Sequence, residues 1–231
     1  MFWALLFSHL IADYPLQTDG LVRAKKTCMG LLLHVAIHLA TMCVVLFGVL
    51  DMPLSPALPA VLAVTMCHLG IDIWKNVLAR LKPQWVIGGY LQDQVLHLVS
   101  ITLAAAWYAH TCTVPLFALP AQTASAWLLP ASGYVLVTHA WFVTERVLSY
   151  RAKAYQEWLQ AHLWPRLMSR TILFSVWLLG GTAWGAIALL GALTLHWYDL
   201  GCRYRWRALG IDLAVVVGII PLLYLAHLVS M

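Results

Sequence analysis

Four pairs of side chains of metal-ligand type recur in the first hundred residues: His9/Asp13, His34/His38, His68/Asp72 and Asp93/His97. Each pair is spaced i,i+4, which on a helix places both side chains on one face, one turn apart. All four lie in strongly apolar segments, where an ionisable residue is costly and marks a functional site by default. Neutral imidazoles and carboxylates suit zinc, iron or manganese. The eight residues are therefore the candidate ligands of one or two divalent metal ions. Carboxylates left over can orient imidazoles or serve as a general base. Asp72 and Asp93 are the candidates for that catalytic role. Lys75, one turn beyond Asp72, can pair with that carboxylate, contact a phosphate, or reach for the membrane surface.

Other chemistries are poorly represented. The sequence holds no HExxH motif, phosphate loop or dinucleotide fingerprint. Glu145 and Glu157 are the only glutamates, unlike the Glu-rich di-iron bundles with their Glu-x-x-His motifs. Cys28, Cys43, Cys67, Cys112 and Cys202 are scattered without CxxC spacing and read as free thiols. His110, His139, His162, His196 and His227 lack an acidic or histidine partner at helical spacing and read as structural. Cys67 points to a different face from its neighbour His68 and reads as packing.

The elements that must position the eight residues are membrane helices. Of 231 residues, 62% are hydrophobic and 10% charged, whereas a soluble domain carries about 25% charged residues. Twelve Trp and nine Tyr suit interfacial aromatic belts. The net charge of +5 sits in loops without a dense basic run, so no nucleic-acid partner is expected. The fold class expected is all-α, a polytopic transmembrane bundle of about seven spans. The spans fall near 1–20, 29–50, 57–80, 86–109, 126–148, 170–195 and 208–229. Pro15 makes the first either a kinked helix or a helix with a short interfacial extension. That first run has no basic leader and no small-residue cleavage site, and is expected to be retained.

Residues 1–110 form a four-span core carrying the polar pairs. Residues 111–231 add three spans and an amphipathic interfacial segment at 150–168. Arg23, Lys25 and Lys26, then Lys75, Arg80 and Lys82, then Arg146, Arg151, Lys153, Arg166 and Arg170 mark loops expected in the cytoplasm. Arg203, Arg205 and Arg207 run against that orientation unless Gly180 and Gly181 break the sixth span. In this arrangement every polar pair lies roughly 9–18 Å below the cytoplasmic boundary, at 1.5 Å per residue. One shared layer is what a single site requires. Paired histidines acting only as hydrogen-bonded glue between helices are the plainer alternative.

HLIADYPLQTD at 9–19, Lys25/Lys26, HVAIH at 34–38, HLGIDIWK at 68–75 and DQVLH at 93–97 together resemble DUF3307, a family of bacterial integral membrane proteins without an established activity. The resemblance covers about the first hundred residues. It implies one integrated site that adds Gln17, Lys75 and Gln94 to the eight, in a multi-pass protein of the bacterial inner membrane.

The expected function is a metal-dependent hydrolase acting on a lipid or lipid-linked substrate at the cytoplasmic leaflet. The competing readings are an ion, proton or solute transporter, a heme protein using paired histidines, and a non-catalytic scaffold. A transport path needs polar groups through the full thickness, but the halves of the four spans away from the pairs are almost wholly apolar. Interleaved aspartates make heme ligation less apt.

Overall fold

The computed structural model describes residues 1–119, 127–178, 191 and 204–230. Among these every regular element is helical. Helix α1 (Phe2–Asp13) ends two residues before Pro15, which has no backbone N–H to carry the helix on. The short α2 (Asp19–Ala24) then starts at Thr18, whose hydroxyl accepts from the Leu21 amide. The segment expected at 1–20 is thus a helix with a separate extension, not one kinked span. At 12 residues, α1 is about 18 Å long, short of the roughly 30 Å hydrocarbon core.

Thr27 caps α3 (Cys28–Cys43), which runs on as a π-helical stretch, Val44–Val49. A turn through Asp51, at φ 46°, and Pro53 leads into α4 (Leu54–Leu81). Residues 82–85 turn the chain into α5 (Val86–Cys112), which ends on Thr113 in the left-handed conformation. Helices α6 (Leu128–Val135) and α7 (Trp141–Leu148) flank a π-helical stretch, Leu136–Ala140. They are followed by α8 (Lys153–Ala161), α9 (Leu163–Leu178) and α10 (Arg205–Ser230).

Among the described residues, four helices are long and apolar enough to cross a membrane: Cys28–Val49, Leu54–Leu81, Val86–Cys112 and Arg205–Val229. Of the segment expected at 170–195, the structure describes 170–178, as the end of α9, and Gly191. Gly180, Gly181, His196, Cys202 and Arg203 lie outside the described residues.

The chain divides into two compact units. The first, Met1–Ser132 with Ala226–Met231, holds the polar pairs. Its apolar core gathers Phe2 and Leu5 of α1, Met42 and Leu46 after the middle of α3, Val61 and Val64 of α4, and Ile101 and Ala105 of α5. These positions lie toward the start of α1, the end of α3, the start of α4 and the end of α5. The polar pairs occupy the opposite half of each helix. The four helices alternate in direction, so the split makes one dry half and one polar half. In lipid, apolar contacts alone bring little net drive to helix association, and packing and interhelical polar contacts carry it. The polar half therefore also holds the helices together.

The second unit, Gly133–Leu225, contains the amphipathic helix α8. Tyr155 and Leu159, one turn apart, are its buried face and pack with Phe142 and Leu167. One expectation fails here. Arg166 and Arg170 are not loop charges: both are wholly buried, bonded to Glu145 of α7 and Asp212 of α10. A positive-inside count therefore loses two of its residues.

Candidate metal centre

All eight paired residues converge in one cluster. His68 sits at its middle: its ring centroid lies 3.7 Å from that of His38, 4.3 Å from His97, 5.0 Å from His34 and 5.6 Å from His9. His9, His34, His38, His68, Asp72, Asp93 and His97 are all buried, and the Asp13 side chain is 8% exposed. The i,i+4 spacing acts as expected. His9 Nε2 faces Asp13 Oδ2 at 3.2 Å, His68 Nε2 faces Asp72 Oδ2 at 3.4 Å, and His97 Nε2 faces Asp93 Oδ1 at 3.3 Å.

Contacts between helices close the cluster. Asp13 Oδ1 of α1 meets His34 Nε2 and His38 Nε2 of α3, each at 3.2 Å. His34 Nε2 meets His68 Nε2 of α4 at 3.0 Å, and His68 Nδ1 meets His97 Nδ1 of α5 at 3.2 Å. Gln17 donates to Asp13 Oδ1 at 3.2 Å and lies 3.3 Å from His34 Nε2. Gln94 donates to Asp93 Oδ2 at 3.0 Å and accepts from the Tyr14 hydroxyl at 2.8 Å. Tyr14 has no helical-spacing signal in the sequence; only its place beside Asp13 points to it.

The lysines are placed differently from expectation. Lys75 does not pair with Asp72 one turn away; it donates across to Asp93 Oδ2 at 2.6 Å. Asp72 Oδ2 instead faces Lys25 Nζ at 2.8 Å. Lys25 sits just after α2 and read as an ordinary loop charge in the sequence. The Asn76 side chain donates to the Lys25 carbonyl at 3.0 Å, tying this segment to α4. Asp19 is exposed in the first turn of α2.

The donor set suits a divalent cation. Four ligands about 2.1 Å from one ion in a tetrahedron stand about 3.4 Å apart, close to the 3.0–3.4 Å separations found here. Three groups bring one ligand atom per residue within 4.8 Å of each other: His9, Asp13, His38 and His68; His34, His68 and Asp72; Asp72, Asp93 and His97. Sharing of His68 and Asp72 links the groups, as bridging between two ions would require. Three buried atoms of the cluster, His34 Nδ1, Asp93 Oδ1 and His97 Nε2, have no aligned hydrogen-bond partner, while Asp72 Oδ2 is held by the Lys25 ammonium. Buried polar atoms left in this way are costly, and a cation is a partner that Asp93 Oδ1 and His97 Nε2 can share. Among the described residues, groupings of three or more such side chains fall wholly within these eight. His139 bonds Thr138, His162 bonds the Trp158 carbonyl, and neither takes part.

The family model described as "Protein of unknown function (DUF3307)" matches residues 1–127, more than half of the chain and every residue of the cluster. No curated protein and no solved structure matches the chain. The chain belongs to the DUF3307 family.

Proposed function

We propose that this DUF3307 protein is a multi-pass protein of the bacterial inner membrane that binds divalent metal in the polar half of its N-terminal unit. We further propose that it uses the metal to hydrolyse a lipid or lipid-linked substrate at the cytoplasmic leaflet. About seven spans accommodate this reading, with the C-terminal region supplying the rest. Zinc, iron and manganese all suit the five imidazoles and three carboxylates. The observation that carries the proposal is the convergence of ligand-type atoms at coordination-shell spacing, with Asp93 Oδ1 and His97 Nε2 buried without an aligned partner.

A divalent ion at such a site supplies Lewis acidity and a water-derived nucleophile at neutral pH. The chain's own residues then have definable tasks. Asp93 Oδ2 is held by Lys75 and Gln94, which leaves Oδ1 facing the cluster as a proton acceptor or ligand. Asp72 bridges His34, His68 and Lys25 and can orient either imidazole. The apolar half of the unit supports this reading over transport, since among the described residues it gathers a hydrophobic core beyond the layer of pairs.

Protein purified in mild detergent without chelator is expected to carry stoichiometric divalent metal, which the His38→Ala, His68→Ala variant lacks. It is also expected to release product from phospholipid or polyprenyl-phosphate substrates in a chelator-sensitive way. Wild-type protein with no more metal than the variant would refute the reading. Proton or ion flux in sealed vesicles, abolished by Asp72→Asn, would turn it toward a transporter.

A further inference from the structure

The geometry points to a metal-gated anion site: Lys25 and Lys75 bind a phosphate monoester or diester group once divalent cations engage Asp72 and Asp93. This inference rests on the metal reading and deepens it, since it names the recognised group and the order of binding.

Each lysine compensates one candidate ligand. Lys25 Nζ is 2.8 Å from Asp72 Oδ2, and Lys75 Nζ is 2.6 Å from Asp93 Oδ2. The two carboxylates belong to one group, with His97, whose ligand atoms lie within 4.8 Å of each other. The two ammonium groups thus face neighbouring carboxylates from different elements. Asp72 offers the same oxygen that Lys25 faces, Oδ2, while Asp93 offers Oδ1, which has no aligned hydrogen bond, beside the Oδ2 that Lys75 holds. A cation on Asp72 Oδ2 takes the place of Lys25, and one on Asp93 Oδ1 supplies the counter-charge that Lys75 otherwise gives to that carboxylate.

Charge sets the order. With the imidazoles neutral, Asp13, Asp72 and Asp93 against Lys25 and Lys75 leave one net negative charge in the cluster. That repels an anion. One divalent ion turns the sum to one positive charge and two ions turn it to three, in a low-dielectric setting where the sign matters most. The ammonium donors freed from the carboxylates then face a phosphate, which accepts from compact point charges of this kind.

Lys25 is placed by built features. Asn76 holds its carbonyl, and Thr27 caps α3 two residues later. Gly30 lets the preceding turn pack against α3 so closely that a Cβ there would stand 2.1 Å from the Ala24 carbonyl oxygen. Lys25 is 11% exposed and Lys75 38%, so the Lys75 side is the open approach for an incoming group.

Coupling between two ligands is reciprocal, so the anion must tighten metal binding as much as metal tightens anion binding. The test titrates Mn²⁺ into detergent-solubilised wild-type protein alone, with inorganic phosphate, and with dihexanoyl phosphatidic acid. The same series is run on the Lys25→Gln, Lys75→Gln and Lys25→Arg, Lys75→Arg double variants. Phosphate or the lipid phosphate is expected to lower the Mn²⁺ Kd of the wild type by about tenfold. The Arg variant, which keeps both charges, should retain most of that shift and the Gln variant none. Without anion, the Gln variant should bind Mn²⁺ at least as tightly as wild type, because the lysines no longer compete for the carboxylates. A shift with the lipid alone assigns a membrane head group as the source; a shift with both assigns the phosphate group itself. Mn²⁺ binding that neither anion changes, or an equal shift in the Gln variant, overturns the anion site and leaves the metal reading standing. No Mn²⁺ binding in the wild type overturns both.

Discussion

His34 Nε2 lies 3.0 Å from His68 Nε2, joining α3 to α4 at the centre of the polar layer. Two neutral imidazoles satisfy this contact only when one ring donates and the other accepts. His34 Nδ1, at the far side of its ring, is buried without a hydrogen-bond partner. The same His34 Nε2 is also 3.2 Å from Asp13 and 3.4 Å from Asp72. One nitrogen facing two carboxylates and a second imidazole is a poor hydrogen-bond arrangement and a good coordination corner.

Replacing His68 should have the widest effect on the cluster, because its ring touches the other four histidines. His68→Ala is expected to weaken metal binding by more than the 10–100-fold typical of losing a residue that merely orients a ligand. His162→Ala, whose ring bonds the Trp158 carbonyl, should leave metal content unchanged. Elemental analysis of the three proteins side by side decides the matter.

Two glycine substitutions should differ in sign. At Gly30 a Cβ would clash with the Ala24 carbonyl, while at Gly70 it would meet nothing within 4 Å. Gly30→Ala is expected to cost about 1–3 kcal/mol by overpacking. Gly70→Ala in the middle of α4 should be neutral or stabilising by up to about 1 kcal/mol. Thermal unfolding in detergent reads both. Gly30→Ala should also weaken the anion effect on metal binding, because it moves Lys25.

In the second unit, Asp212 Oδ1 accepts from Arg166 and from Arg170, each at 2.6 Å. Asp212→Asn leaves two buried guanidinium groups short of a counter-charge and is expected to cost about 3–5 kcal/mol. Adding Arg170→Met should recover part of that loss, a coupling that a double-mutant cycle on thermal unfolding measures. Metal content should not change, since the candidate ligands all lie between His9 and His97.

The Tyr155 hydroxyl donates to Glu145 in the same network. Burial, reinforced by the Glu145 carboxylate, pushes the Tyr155 hydroxyl from 10.0 up to about 12. Tyr155→Phe should cost about 1.5–3 kcal/mol, as for a hydrogen bond to a charged group. The raised pKa means that the folded state holds the proton more tightly than the unfolded state. Its contribution is complete below pH 10 and is lost as the pH rises through about 12. The stability gap between wild type and Tyr155→Phe should therefore be flat at neutral pH and narrow above pH 10.

Local chemistry of the chain already determined the rough limits of α3, α4, α5 and α10 and the shared face of each polar pair, but not the break between α8 and α9 inside the segment 150–168. An apolar run cannot leave its backbone groups unpaired in lipid, so it forms a helix. The i,i+4 spacing then stacks His9 on Asp13, His68 on Asp72 and Asp93 on His97 whatever the surroundings. Pro15 likewise ends α1, because it lacks the backbone N–H that would carry the helix on. Only tertiary packing decided which pairs meet. Nothing in the spacing says that Lys75 passes over Asp72 to reach Asp93, or that Lys25 leaves its loop for Asp72. Nor does spacing bring Arg166, Arg170, Glu145 and Asp212 together, because those partners lie 21 to 46 residues apart along the chain. A charge beside a membrane segment can face water or a buried counter-charge, and its local sequence is the same in both cases. The packing of the helices decides between them, since it alone supplies the partner that makes burying the charge affordable.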